Sequence, residues 1–235
     1  MFDNTLRRFK DRILAPVARQ FENIDPKAIT LVGFIFGLFS AYFAFSGLMF
    51  VALAFWLINR GLDGLDGAVA RLHEQQDDLG GYLDIMADSV IYALIPFGLV
   101  AGMNSSRAYL ALAAMLALFY INTASWMFLS AILEKRALRN AVTQTTIIMP
   151  SGLVAGFETI LFYSVFLIFP SQVITLFMIF SMLVLITVLQ RLIWAGQQLR
   201  QPTFKGIQNE NEYISTPVYP EQHKKRTHLS QRNYQ

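Results

Sequence analysis

Residues 28–58 read AITLVGFIFGLFSAYFAFSGLMFVALAFWLI, and residues 59–71 follow directly as NRGLDGLDGAVAR. The first stretch carries no charge over 31 residues, which as helix would run about 46 Å at about 1.5 Å per residue. A hydrocarbon core takes about 20 helical residues per crossing. The stretch is therefore too long for one crossing and too short for two, and Ser46-Gly47 falls within it as a turn. The second helix must then run on past Ile58, through Asn59, Arg60, Asp63 and Asp66, before it leaves the membrane. Its carboxylates lie at bilayer depth.

Working outward, the same character extends over most of the chain. Apolar residues make up 54% of the 235 and charged residues only 15%, against a soluble norm of roughly 25% charged. This predicts an all-α integral membrane protein. Spans are expected near Ala28–Phe45, Leu48–Ala70, Gly81–Gly102, Tyr109–Leu133, Gly152–Phe169 and Val173–Ile193: six transmembrane helices within residues 28–200. Ahead of them, Phe2, Leu6, Phe9, Ile13, Val17 and Phe21 recur every three or four positions among basic residues. Residues 1–27 thus read as a cytoplasmic interfacial amphipathic helix and linker, a helix packed on the protein itself being the alternative. Asp25-Pro26 breaks this helix, and the first long apolar run starts too late for a secretory signal. Residues 201–235 are a polar cytoplasmic tail of disordered composition. Of the 19 Lys and Arg, all but Arg107 fall on one side of this topology, which puts both termini in the cytoplasm. With no cysteine, disulfides, thiol catalysis and Cys-ligated zinc are excluded.

Five carboxylates fall at span depth: Asp63, Asp66, Asp84, Asp88 and Glu158. An intramembrane Asp costs about 2.5–3.5 kcal/mol at a helix centre, and several together repel. Arg60 and Arg71 are too few to compensate them, so divalent metal is the natural counter-charge. Asp63 and Asp66 are i,i+3 on the second span, and Asp84 and Asp88 are i,i+4 on the third, so each pair shares a helix face. Counted inward from Gly80, Asp84 and Asp88 lie about 6 and 12 Å deep, level with the first pair. Such an array can enclose two divalent cations, and all-oxygen ligation favours Mg²⁺ or Mn²⁺. The chemistry indicated is phosphoryl or phosphatidyl transfer in a cytoplasm-facing cleft. Gly67 and Ala70 keep the face beside Asp63 and Asp66 slim enough for a ligand to approach.

The full string is Asp63-x₂-Asp66-Gly67-x₂-Ala70-Arg71-x₈-Gly80-x₃-Asp84-x₃-Asp88. Position for position it resembles the signature of the CDP-alcohol phosphatidyltransferase family, and with the six spans the resemblance covers about residues 1–200. It implies displacement of CMP from a CDP-alcohol, usually CDP-diacylglycerol, by an acceptor hydroxyl in phospholipid biosynthesis. It further implies that Asp63, Asp66, Asp84 and Asp88 hold two metals and that Asp88 is the base. Gly67, Ala70, Arg71 and Gly80 would surround the CDP portion, with Thr30 of Ala28–Leu31 as a further nucleotide contact. The membrane would be a bacterial inner membrane, homodimers are common in the family, and nucleic acid is no partner. One departure stands out: where some relatives carry a hydroxyl residue three places before the motif glycine, this chain has Asp77.

The acceptor alcohol stays open. Glu158 lies roughly 10 Å inside the fifth span and reads either as orienting the acceptor or as a structural carboxylate paired with Arg191 or Arg60. Lys135, Arg136 and Arg139 follow the fourth span and read either as acceptor-phosphate ligands or as charges that set topology. Arg191 joins them as an acceptor-side residue. Asn122 reads first as a polar contact between helices. Two other functions compete: a divalent-cation transporter using the same carboxylates, and a non-catalytic family member. The transporter leaves Gly67, Ala70, Arg71 and Gly80 unexplained, and the presence of all four aspartates argues against the inactive member.

Overall fold

The computed structural model describes residues 14–103, 105–139 and 153–200, and among them every regular element is helical. Six long helices follow in order: α1 (Pro26–Phe45), α2 (Met49–Leu72), α3 (Asp78–Met103), α4 (Ser106–Arg139), α5 (Gly156–Ile168) and α6 (Val173–Leu199). Among the described residues, four segments are long and apolar enough to cross a membrane: Pro26–Phe45, Asp78–Met103, Ser106–Arg136 and Pro170–Leu199. The other two expected spans are helical but differ in a definite way. Helix α2 has the length, 24 residues, but carries the charged motif over its second half. Helix α5 has only 13 residues.

The expected turn falls at Ser46-Gly47. Gly47 adopts φ +78°, a left-handed conformation open to glycine at little cost, and the Leu48 N–H donates back to the Phe43 carbonyl at 2.9 Å. Helix α1 begins on Asp25, whose carboxylate accepts the Lys27 N–H at 2.9 Å, with Pro26 in the first turn. As the chain length required, α2 continues without interruption through Asn59–Arg71. It stops where Glu74 takes φ 55° and the Gln75 N–H closes onto the Ala70 carbonyl.

Helix α1 packs against both α2 and α3, α4 pairs with α6, and α5 lies against α2. Along the α1–α3 seam, a Cβ on Gly98 would collide with the Ala41 carbonyl and one on Gly102 with the Phe45 carbonyl. Bare glycines one turn apart let the two backbones close up there. The apolar core lies further along the bundle, where Trp56, Tyr163, Phe166, Phe177 and Phe180 are fully buried. A smaller cluster joins Ala18 to Ile29, Leu65, Ala68 and Val69. The described end of the N-terminal segment, residues 14–18 and the turn Arg19–Phe21, therefore packs on α1 and α2 while Val17 faces outward. Most of the expected amphipathic helix and all of the tail from residue 201 lie outside the described residues.

Candidate active site

Helices α2 and α3 each present acidic side chains to the space beneath α1. Ligand oxygens of Asp63, Asp84 and Asp88 come within 4.8 Å of one another. Asp66 is 5% exposed and accepts the Thr30 hydroxyl at 2.6 Å, tying α2 to the first turns of α1. All four aspartates, with Thr30, line one narrow cleft. Three carboxylates able to direct oxygens at one point, with a fourth beside them, suit a hard divalent cation. The donor set therefore fits magnesium or manganese.

Beside this cleft lies an open cavity of about 210 Å³, whose lining includes Thr30, Asp66, Gly67, Ala70, Arg71 and Gly80. All five residues assigned by resemblance to the CDP portion thus meet in one place. The glycines also have local reasons. A Cβ on Gly67 would lie 2.9 Å from Arg71 Nη1, so the bare position lets the guanidinium fold back over α2. A Cβ on Gly80 would lie 2.7 Å from Asp77 Oδ1, which accepts the Gly80 N–H at 2.7 Å and caps the start of α3.

Asp77 has a further partner that the motif does not reveal. Lys27 Nζ donates to its Oδ2 at 2.5 Å, forming an ion pair on the lining of the cavity. The Lys27 ammonium and, after it, the Gly80 amide hold the Asp77 carboxyl below the usual carboxylate range. The acidic replacement of a hydroxyl residue thus comes with its own counter-charge. Lys27 and Thr30 also line a second cavity of about 280 Å³, an apolar groove between α1 and α3 walled by Leu31, Phe34, Leu83 and Met86.

Sequence reasoning gave Arg60 no definite partner. It is 7% exposed and its guanidinium forks onto Asp88, Nη2 to Oδ1 at 2.5 Å and Nη1 to Oδ2 at 3.0 Å. Its i,i+3 spacing from Asp63 was a usable signal, and Nη1 does lie 3.8 Å from Asp63 Oδ1.

The residues placed on the acceptor side do not form one cluster with these. Glu158 accepts the Ala155 N–H at 3.0 Å and so caps α5. Arg191 donates to both the backbone and the side-chain oxygen of Asn122, joining α6 to α4. Arg136 donates to the carbonyls of Gln198 and Leu199 at the end of α6. Lys135 is exposed on the last turns of α4, which extends beyond the span expected from sequence. The side chain of Arg139 lies outside the described residues.

The helical bundle thus gathers four aspartates into one cleft beside an open cavity, a donor set that fits divalent metal. Residues 23–197 match the family model for CDP-alcohol phosphatidyltransferase, and the chain belongs to that family. It is 35% identical over 188 residues to the inner membrane protein YnjF of Escherichia coli (strain K12), covering 80% of this chain and 88% of that protein. A shorter match, 33% over 79 residues, links it to the archaetidylinositol phosphate synthase of Pyrococcus horikoshii, covering 34% of this chain and 42% of the relative. In fold it is similar to Mycobacterium tuberculosis phosphatidylinositol phosphate synthase (PgsA1) with CDP-DAG bound. The TM-score is 0.58 at 18% identity, over 77% of this chain and 92% of that one. The same enzyme in complex with manganese and citrate gives a TM-score of 0.56 at 18% identity, over 77% and 87% of the two chains.

Proposed function

We propose that this protein transfers a phosphatidyl group from CDP-diacylglycerol to an acceptor alcohol, releasing CMP. The observation that carries this reading is the junction at Lys27 and Thr30, which line both a cavity walled by many charged and polar residues and an apolar groove, Thr30 lining the acidic cleft as well. A nucleotide joined through a diphosphate to two acyl chains has that same sequence of polarities. The CDP-DAG and the manganese named for the two structures of that one relative agree with it.

In this reading Asp63, Asp66, Asp84 and Asp88 hold two divalent cations, Mg²⁺ or Mn²⁺. When bound, these neutralise the diphosphate and stabilise CMP as leaving group. Thr30, Gly67, Ala70, Arg71 and Gly80 seat the cytidylyl half. The acceptor oxygen attacks the phosphorus that carries the diacylglycerol. The bond from that phosphorus to the bridging oxygen breaks, and CMP leaves with the electron pair. The acceptor proton passes to the Asp88 carboxylate and then to water. Each carboxylate oxygen has two acceptor sites, so the Arg60 fork leaves Asp88 room for this. Holding both reactants in line supplies much of the rate enhancement.

We place the site on the cytoplasmic face of a bacterial inner membrane, with α2 and α5 completing six crossings and both termini cytoplasmic. The one-sided distribution of Lys and Arg supports this. Because the chain has no cysteine, single cysteines at Arg107 and in the tail should label from opposite sides of the membrane.

The activity test is CMP release from CDP-diacylglycerol by detergent-solubilised protein with Mg²⁺ or Mn²⁺. The acceptors to screen are glycerol 3-phosphate, inositol and its phosphate, serine, glycerol and phosphatidylglycerol. Acceptor-dependent release that is lost in Asp88→Asn is the expected result. Metal uptake into vesicles without CMP formation would instead establish a transporter.

A further inference from the structure

Arg60 is held more firmly than pairing with a carboxylate requires. Besides the two bonds to Asp88, its Nε donates to Asn59 Oδ1 at 2.8 Å and its Nη1 to the Tyr92 hydroxyl at 3.0 Å. The guanidinium carbon sits 4.8 Å from the Trp56 ring centroid and 5.2 Å from that of Tyr92, within the range of attraction between a cation and an aromatic face. These partners are themselves fixed. Asn59 Nδ2 donates to the Gly33 carbonyl of α1 at 2.8 Å, Tyr163 Oη donates to the Tyr92 carbonyl at 2.5 Å, and Trp56 Nε1 donates to Ser164 Oγ. An arginine does not give up its proton in proteins. The cluster therefore contains a permanent positive charge at its deep end, held by α1, α2, α3 and α5 together.

That charge has two consequences. A planar fork onto both oxygens fixes the plane and direction of a carboxylate, which a lysine cannot do. A unit charge bonded to Asp88 and 3.8 Å from Asp63 also repels any cation those carboxylates would bind. We propose that Arg60 is a positioning residue that aims Asp88 and weakens divalent-metal binding at the cluster until a substrate diphosphate supplies further negative charge. The inference rests on the metal reading above. By linkage, metal then strengthens substrate binding by the same factor as substrate strengthens metal binding, and the two load together.

The test is Mn²⁺ binding, followed by the electron paramagnetic resonance of the free ion, on full-length protein without nucleotide. Wild type is compared with Arg60→Met and Arg60→Lys, and each variant's kcat and KM for CDP-diacylglycerol are measured alongside. Removing the charge should tighten Mn²⁺ binding by about tenfold or more while kcat falls by about 100-fold. Arg60→Lys keeps the charge and loses the fork. It should bind Mn²⁺ within about threefold of wild type and show a reduced kcat with KM little changed.

A folded Arg60→Met protein that binds Mn²⁺ equally or more weakly overturns the inference, since an ion pair with a purely structural role predicts that result. Wild-type kcat in Arg60→Lys overturns it as well, and that measurement stands even where the methionine variant does not fold. Absence of Mn²⁺ binding by wild type and by Arg60→Met alike, with CDP-diacylglycerol present as well as absent, would be a different failure, sinking the metal reading and this inference with it.

Discussion

The two halves of the bundle hold their polar residues in different ways. In α1–α3, Asp63, Asp66, Asp84 and Asp88 face a common cleft, and the Lys27–Asp77 pair lines the cavity beside it. In α4–α6, Glu158, Arg136 and Arg191 all bond to backbone within the bundle. By depth and residue type alone the two sets look alike. Under the proposed function, ionisable side chains inside a membrane mark a site where several converge on space. When each finds a backbone partner, it marks the solution to a local hydrogen-bonding problem.

The largest effect that could break this contrast is on the α1–α3 side. Asp84→Asn removes one of three converging ligands and should lower CMP release by about 1,000-fold or more without unfolding the protein. A drop of less than about tenfold would detach the cluster from catalysis.

Next comes Gly67→Ala. The new methyl displaces the Arg71 guanidinium, and KM for the CDP-alcohol should rise by about tenfold with kcat changing less. Unchanged KM would remove Gly67 and Arg71 from the nucleotide site.

On the α4–α6 side, Arg191→Met should cost about 1–3 kcal/mol of stability, read as a lower thermal midpoint, with activity per folded molecule retained. Glu158→Gln keeps an acceptor for the Ala155 N–H and should leave activity within about threefold. A large loss of activity in a fully stable Glu158→Gln protein would return Glu158 to the acceptor site and dissolve the contrast.

The smallest effect concerns Asp77. Its carboxyl titrates lower in the folded protein than in the unfolded chain, so its stabilisation is complete above the unfolded value of about 3.9 and is lost as pH falls through the folded value. Asp77→Asn should therefore melt slightly below wild type at neutral pH, and the difference should vanish in acid. A difference that grows on acidification would contradict the Lys27 pairing.

These residues also show where sequence reading reached its limit. The turn at Ser46-Gly47 and the passage of α2 through the charged motif followed from chain length against membrane thickness, a constraint that leaves little freedom. The meeting of Asp63, Asp84 and Asp88 followed from helical periodicity and similar depth. The Arg60 fork and the Lys27–Asp77 pair depend on how far apart two helices stand and how each is rotated, which periodicity along one helix does not contain. Long basic side chains reach several possible partners, and only the packing selects one. Glu158 shows the converse: counted from Gly152 it lay well inside a span, but α5 begins at Gly156 and makes Glu158 a first-turn cap. Pro150-Ser151-Gly152 suggested a start four residues ahead of the one observed at Gly156.

Among the described residues, none closes over the groove between α1 and α3. Leu31 is 60% exposed, and Leu83 and Met86 also reach the outer surface of the bundle, where acyl chains of the surrounding leaflet would lie. Under the proposed function, the donor lipid then arrives sideways by two-dimensional diffusion and never crosses water. The quantity that governs encounter is its mole fraction in the leaflet, so diluting it with inert lipid or detergent at constant total amount should slow turnover. A rate that follows bulk concentration alone would mean that the donor enters from the aqueous side.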